Sequence, residues 1–329
     1  MNDESTVTPW EVTGNVDYEK LIKQFGVERI DSQLLKRIER KAGELHPFLR
    51  RGIFFSHRDM NWLLDEFERE NMLENMLDVI ALGFNPKLHE NMLDVIALGF
   101  NPKKTHFLVD TLHAKSMYKP ACEVAKRITL STIKSSFGFN DSVNLGQIFY
   151  TAMQSVPAFF PSYLAGKNIP CLIPHAIDQD PHFRLARDIL PKMGYYKPAA
   201  IHSVFLPPLT GPGGKMSSSI STSAVYTIDS PKVMKDKIMK YAFSGGQASI
   251  KEHREKGGNP DIDVSYQWLR FFEDDDNKLK KIHDDYKNGK LLTGELKQIL
   301  VEKLSPFLER HQEARAKAGD KIEDYMFHE

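Results

Sequence analysis

Lys215 stands in the run Gly213-Gly214-Lys215-Met216-Ser217-Ser218-Ser219, where a glycine pair delivers one ammonium and three hydroxyls. That set suits a polyphosphate: the lysine meets a phosphate as a point charge, while hydroxyls and backbone N–H groups add donors. The run is not a P-loop, which needs glycine five positions before its Gly-Lys pair and Ser or Thr directly after the lysine. Leu209 and Met216 hold those two places. A solvated surface turn is the bland alternative for so short a string. Upstream, Ala176-Ile177-Asp178-Gln179-Asp180-Pro181 groups two carboxylates and an amide. Such groups at the carboxyl end of a strand lie where open α/β sheets bind ligands. Asp178 or Asp180 would equally serve as the cap of a helix opened by Pro181.

The elements that must position these groups are legible in outline. The apolar run Ile169-Pro170-Cys171-Leu172-Ile173 predicts a buried strand over 170–173, and 199–206 predicts a second, ended by Pro207-Pro208. A third strand is expected over 105–109, with helices over 118–130, 145–155 and 181–190. Strands alternating with helices imply a parallel α/β sheet. Earlier, Leu35, Ile38 and Leu45 punctuate a basic helix. Phe54-Phe55-Ser56-His57-Arg58-Asp59 suggests a helix start with Ser56 or Asp59 as cap. After residue 230 only helices are expected, over 232–243, 268–273, 276–288 and 294–317. Pro306 should kink the last of these, or restart it with Ser305 as cap. The implied division is 1–69, an N-terminal extension and the start of the sheet domain; 70–229, the sheet domain; and 230–329, a helical domain.

Composition sets bounds on partners. The chain has 329 residues, 41% hydrophobic and 27% charged, with 44 basic and 44 acidic residues. A net charge of zero argues against bulk electrostatic capture of nucleic acid but permits a local basic face. Cys122 and Cys171, with no CxxC spacing, imply reduced thiols and neither a disulfide framework nor a structural zinc site. No apolar run reaches the roughly 18 residues that span a bilayer, and the polar start is unlike a leader, so a cytoplasmic location is expected. Histidines such as His106 and His283 show no ligand spacing, and no metal site is expected beyond Mg²⁺ accompanying a nucleotide. Asp274-Asp275-Asp276 reads as an acidic helix start.

The Lys215 run resembles the KMSKS-type signature of class I aminoacyl-tRNA synthetases, and the wider wording resembles the eukaryotic and archaeal tryptophan–tRNA ligases. Ser218 stands where the signature has its second lysine; the eukaryotic members carry a small residue there. The resemblance implies a Rossmann-like parallel sheet with a C-terminal helical anticodon-binding domain, acting on ATP, tryptophan and tRNA(Trp), and a homodimer. It implies that Lys215, Ser217 and Ser219 stabilise departing pyrophosphate, with Gly214, Met216 and Asp178 on the ATP side. Gln179 would hold the amino group of tryptophan. Gln154, in Ala152-Met153-Gln154-Ser155-Val156-Pro157, is similar to the family's IQAAP helix end and would contact the same amino group. Alone it reads as an exposed helical glutamine. Val7-Thr8-Pro9-Trp10 resembles the V-x-P-W element laid beside the nucleotide, although an isolated tryptophan often serves packing alone. Ala242 to Gly246 and Gly257 to Val264 resemble the anticodon-side loops. His253, Arg254 and Lys256 between them form an RNA-facing set, or a plain solvated loop. The rival readings are the tyrosine-specific sister enzyme and, already disfavoured, a P-loop kinase.

Two features depart from that family. Residues 74–87 read ENMLDVIALGFNPK, and residues 90–103 repeat them without change. Each copy predicts a short apolar helix stopped by glycine, Gly83 or Gly99. Their period is shorter than the 20 to 50 residues of repeat architectures, so a solenoid is not implied. The family's YTGRGPSS-like turn, HIGH-type motif and TDDEK-ended strand are absent, and the stretch between Arg69 and Glu90 is too short for a βαβ unit of about 30 residues. The resemblance therefore implies a chain that is unstable or inactive in forming the adenylate, with a truncated, catalytically impaired relative that retains tRNA or protein binding as the alternative.

Overall fold

The computed structural model describes residues 6–7, 12–13, 16–42, 45–57, 60, 88–213, 216, 220 and 222–328. Strands β1 (Thr6–Val7) and β2 (Val12–Thr13) pair antiparallel. Asp17 caps α1 (Tyr18–Phe25) by accepting from Lys20 N at 3.0 Å. Gly26 closes the helix at φ 65°, left-handed backbone that glycine takes without strain. Then come β3 (Val27–Arg29) and α2 (Ser32–Ala42), the expected basic helix, with Leu35 and Ile38 buried.

Phe54 to His57 form a strand, β4 (Phe54–His57), rather than a helix start. All four side chains are buried, so the segment is covered on both faces and lacks the alternation that would have marked it as a strand. Ser56 lies within the sheet and caps nothing; Asp59 falls outside the described residues. The sheet runs β3-β4-β6-β5, with β5 (Leu172–Ala176) and β6 (Ala199–Ser203) parallel and both other pairings antiparallel. The expected parallel pair is present, but the sheet among the described residues is mixed. There β5 pairs with β6 alone, and its residues are half-buried.

The expected strand over 105–109 reduces to one bridge, Phe107 to Met326, with Phe107 N donating to Tyr325 O at 2.6 Å. The C-terminal segment is thereby stitched under the sheet domain. Of the duplicated segments, only the second is described. It forms α3 (Leu88–Ala97), and Gly99 follows at φ 90°. Asp94 on α3 is 3% exposed and accepts from His311 Nε2 (2.9 Å), Arg315 Nε (2.9 Å) and Thr227 Oγ1 (3.0 Å). The helix of the second copy is thus clamped to the last long helix.

Helices α4 (Ala114–Ala125), α5 (Leu130–Phe137), α6 (Leu145–Met153) and α7 (Phe160–Ala165) pack with α8 (Asp180–Ile189) into one apolar cluster. Thr129 and Asn144 cap α5 and α6. Ser230 caps α9 (Pro231–Tyr241), which opens the helical region. It continues as α10 (Ile250–Lys256), α11 (Val264–Phe272), α12 (Asp276–Lys287) and α13 (Thr293–Ala316) around a separate core. Asp275 caps α12, as the acidic triplet suggested. α13 runs unbroken through Pro306, and Ser305 Oγ donates back to Val301 O at 2.8 Å instead of capping a new helix. Burial of Leu300, Leu304 and Leu308 on one face outweighs the lost N–H.

Candidate active site

β5 ends at Ala176, and a 3-10 turn over Ile177–Gln179 leads straight into α8. Asp178 is 3% exposed and Gln179 half-buried. The cap position of the helix belongs to Gln179, whose side chain makes no cap bond, and Asp180 is the first helical residue, so the capping alternative fails for Asp180, while Asp178 sits inside the 3-10 turn. The turn instead holds buried carboxylates at the carboxyl end of a parallel strand. Tyr18 of α1 reaches the same region, its hydroxyl accepting from Phe205 N just past β6 at 3.0 Å. Burial pushes the Tyr18 phenol up to about 12, and the negative charge of Asp178 adds to the shift. Tyr18 was invisible in the sequence, where it is one tyrosine in an ordinary amphipathic helix.

The Lys215 loop leaves β6 and is tied down at its base. Leu209 N donates to Ser223 O (2.8 Å), Phe243 N to Leu209 O (2.7 Å) and Trp268 Nε1 to Pro207 O (2.8 Å). Both flanks of the loop are therefore fixed to each other and to α11. Met216 is half-buried with Leu206, Trp268, Phe272, Leu304 and Phe307 around a cavity of about 50 Å³. Its side chain belongs to the apolar floor between loop and helical core. Gly214, Lys215, Ser217, Ser219 and Trp10 lie outside the described residues.

Gln154 ends α6 and is half-buried. Tyr150 of the same helix meets the ring of His182 edge-on at 6.0 Å, which links α6 to the first turn of α8. Burial drives the His182 imidazole down to about 4, and the nearby His175 adds to the effect.

His253, Arg254 and Lys256 fall on the helix α10 rather than in a loop. His253 is 3% exposed, accepts from Gln247 N at 3.5 Å and hydrogen-bonds Leu291 O through Nε2 at 2.9 Å. Two glycines press on the same corner: a Cβ on Gly258 would lie 2.5 Å from the Tyr286 ring, and one on Gly246 2.3 Å from Thr293 Oγ1. His253 is thus a packing residue, and its burial removes it from any RNA-facing set. Arg254 is exposed but donates to Gly289 O at 2.9 Å. Lys256 is exposed, with Glu252 3.6 Å away.

With this geometry in place, relatives can be compared. The class I tRNA synthetases specific for tryptophan and tyrosine (W and Y) match residues 89–309. The tryptophan–tRNA ligase of Saccharolobus solfataricus is 45% identical over 388 aligned positions, covering 99% of this chain and 96% of its own. The chain belongs to the tryptophan–tRNA ligase family. The cytoplasmic tryptophan–tRNA ligase of Schizosaccharomyces pombe is 40% identical, covering 97% and 95%. The crystal structure of Plasmodium falciparum tryptophanyl-tRNA synthetase, 38% identical, superposes with a TM-score of 0.81 over 95% of this chain and 98% of that one.

The class I synthetase fold is therefore that of this tryptophan–tRNA ligase family member, with the mixed sheet described above. An alignment of 388 positions against 329 residues leaves at least 59 positions (388 minus 329) without a counterpart in this chain. The family match begins at residue 89, at the start of the second copy. Sequence spacing had suggested no metal ligands, yet the fold brings His57, Asp180 and His202 together.

Proposed function

We propose that the chain activates tryptophan with ATP and transfers the tryptophanyl group to tRNA(Trp). The observation that carries this reading is the pairing of two features at the carboxyl ends of β5 and β6: the buried Asp178–Gln179 turn and the base-pinned loop bearing Lys215. In this account the carboxylate of tryptophan attacks the α-phosphate of ATP, the bond to the β-phosphate breaks, and pyrophosphate leaves with its charge met by Lys215. Ser217 and Ser219 add hydroxyl donors and Gly214 lets the backbone approach. Gln154 and Gln179 hold the amino group, Asp178 with its neighbour Tyr18 supports the turn, and Trp10 lies beside the nucleotide. Met216 acts from beneath, as the apolar anchor of the loop. Catalysis is positioning and charge stabilisation, and needs no covalent enzyme intermediate.

Mg²⁺ travels with ATP in this reading and requires no dedicated protein cage. The unit that follows Ser230 binds tRNA, with Lys256 and Arg254 on the phosphates. A homodimer is part of the same proposal, as is a cytoplasmic location, the latter supported by relatives named cytoplasmic. None of the described helices is long and apolar enough to cross a membrane. The curated relatives are named ligases, and none favours a chain that only binds. The test is aminoacylation of tRNA by labelled tryptophan: the full chain should charge tRNA(Trp), and Lys215→Ala should lower the rate by about 10²–10³-fold. Charging untouched by Lys215→Ala would refute the assigned role.

A further inference from the structure

We infer that His57, Asp180 and His202 form a buried site for one tetrahedral divalent transition metal of the zinc type. Strand register creates it. His175 of β5 is paired with His202 of β6, while Phe55 of β4 is the partner of His202, so His57 falls two residues along the same strand. Side chains alternate along strands, and cross-strand partners share a face. The three imidazoles therefore stand on one face of the sheet, with ring centres 4.4 Å (His175–His202) and 5.0 Å (His57–His202) apart. Asp180, the first residue of α8, is lowered onto that row by the short turn after β5.

The separations suit a small cation. Asp180 Oδ1 lies 3.1 Å from His57 Nε2 and 3.5 Å from His202 Nδ1, and the three ligand atoms all lie within 4.8 Å of one another. A zinc ion with bonds of about 2.0–2.1 Å has ligand edges of about 3.3 Å. The set is also closed to water: Asp180 and His202 are fully buried and His57 is 6% exposed.

The polar atoms need such an occupant. Asp180 Oδ2 and His202 Nε2 have no hydrogen-bond partner. Among the described residues no lysine or arginine lies within ion-pair reach of Asp180, whose pairs are the two imidazoles. A carboxylate sealed in this way is costly without a compensating cation. His175 strengthens the case: its Nδ1 donates to Ala176 O at 2.9 Å, which leaves the lone pair on a buried, unpartnered Nε2. Such a backbone-anchored imidazole is the tautomer that metal sites use, and its ring centre lies 4.4 Å from that of His202, although among the described residues only His57, Asp180 and His202 bring ligand atoms within 4.8 Å of one another. With imidazole and carboxylate donors and no soft sulfur, zinc fits better than copper(I). The ion would tie β4 and β6 to α8 and so hold the Asp178–Gln179 turn from behind. Its role is structural, since Asp180 and His202 are fully buried.

The experiment is metal binding by the full chain. Chelator-treated protein is titrated with zinc against a chromophoric competitor and, separately, with cobalt(II), whose visible bands report tetrahedral coordination. One ion per chain with a Kd below about 1 μM is expected. His202→Gln and His57→Gln should each weaken binding by about 100-fold or more, beyond the 10–100-fold typical of changes behind a ligand. Anomalous diffraction at the zinc edge, which needs no variant to fold, should place one peak among the three side chains. No stoichiometric uptake, uptake indifferent to both substitutions, or a peak elsewhere would each overturn the site.

Discussion

The two copies of ENMLDVIALGFNPK permit an internally controlled test. Asp94 and Asp78 occupy the same place in identical local sequence. Only one can hold His311, Arg315 and Thr227, and in this structure it is Asp94. Asp94→Asn removes the charge from a clamp whose members are nearly sealed, the Asp94 and His311 side chains being 5% and 2% exposed. Removing one partner of a buried pair costs about 3–5 kcal/mol; asparagine keeps one acceptor, so we expect about 3 kcal/mol. For a chain of this size that lowers Tm by about 6 °C, at about 2 °C per kcal/mol. Asp78→Asn leaves that clamp intact and should not carry its loss. Burial alone would raise the Asp94 carboxyl, but the bonds from His311 and Thr227 and the charge of Arg315 outweigh it and hold it below the usual range. A depressed carboxyl contributes stability above its ordinary pKa of about 3.9 and loses it as pH falls through the native value. The gap between wild type and Asp94→Asn should therefore be flat above about pH 4 and close on further acidification. Thermal unfolding across pH reads both effects. Equal losses at Asp78 and Asp94, or a gap that widens in acid, would refute the reasoning.

Other outcomes follow from the helical region. Tyr286→Phe removes the 2.7 Å bond to Asp263, a buried cap residue that also accepts from Gly245 N and Ser265 N, and should cost about 1–3 kcal/mol in urea unfolding. Lys256→Ala should weaken tRNA binding and reduce the slope of log K against log salt by about 1, with Tm unchanged, in titrations at several salt concentrations. His253→Ala should act oppositely, lowering stability by about 2 kcal/mol through its lost backbone partners while leaving that slope intact.

The helices were legible because their punctuation is local. Ser230, Asp275 and Gly99 each mark an end that the structure places within a residue or two. Strand edges were less so. Phe54–His57 carries no alternation because both of its faces are covered, and the serine and aspartate beside it imitate a cap. Residues 105–109 look like a strand, yet among the described residues their only ladder partner is Met326, near the far end of the chain. The chemistry of the Lys215 and Asp178–Gln179 segments showed in residue types alone. The His57–Asp180–His202 cluster did not, because His57 lies more than a hundred residues before the other two and meets them only through the pairing of its strand. His253 misled in the opposite sense: a basic residue between glycine-rich loops reads as exposed, while close packing at Gly246 and Gly258 buries it.

The most direct test of the central claim is pyrophosphate exchange into ATP by the purified full chain, with tryptophan and tyrosine compared in parallel. The account predicts exchange that requires tryptophan and is at least about 100-fold slower than in relatives that carry the HIGH-type motif, the loss expected for missing preorganised donors. Exchange driven equally by tyrosine, or none above background with tryptophan, would contradict it.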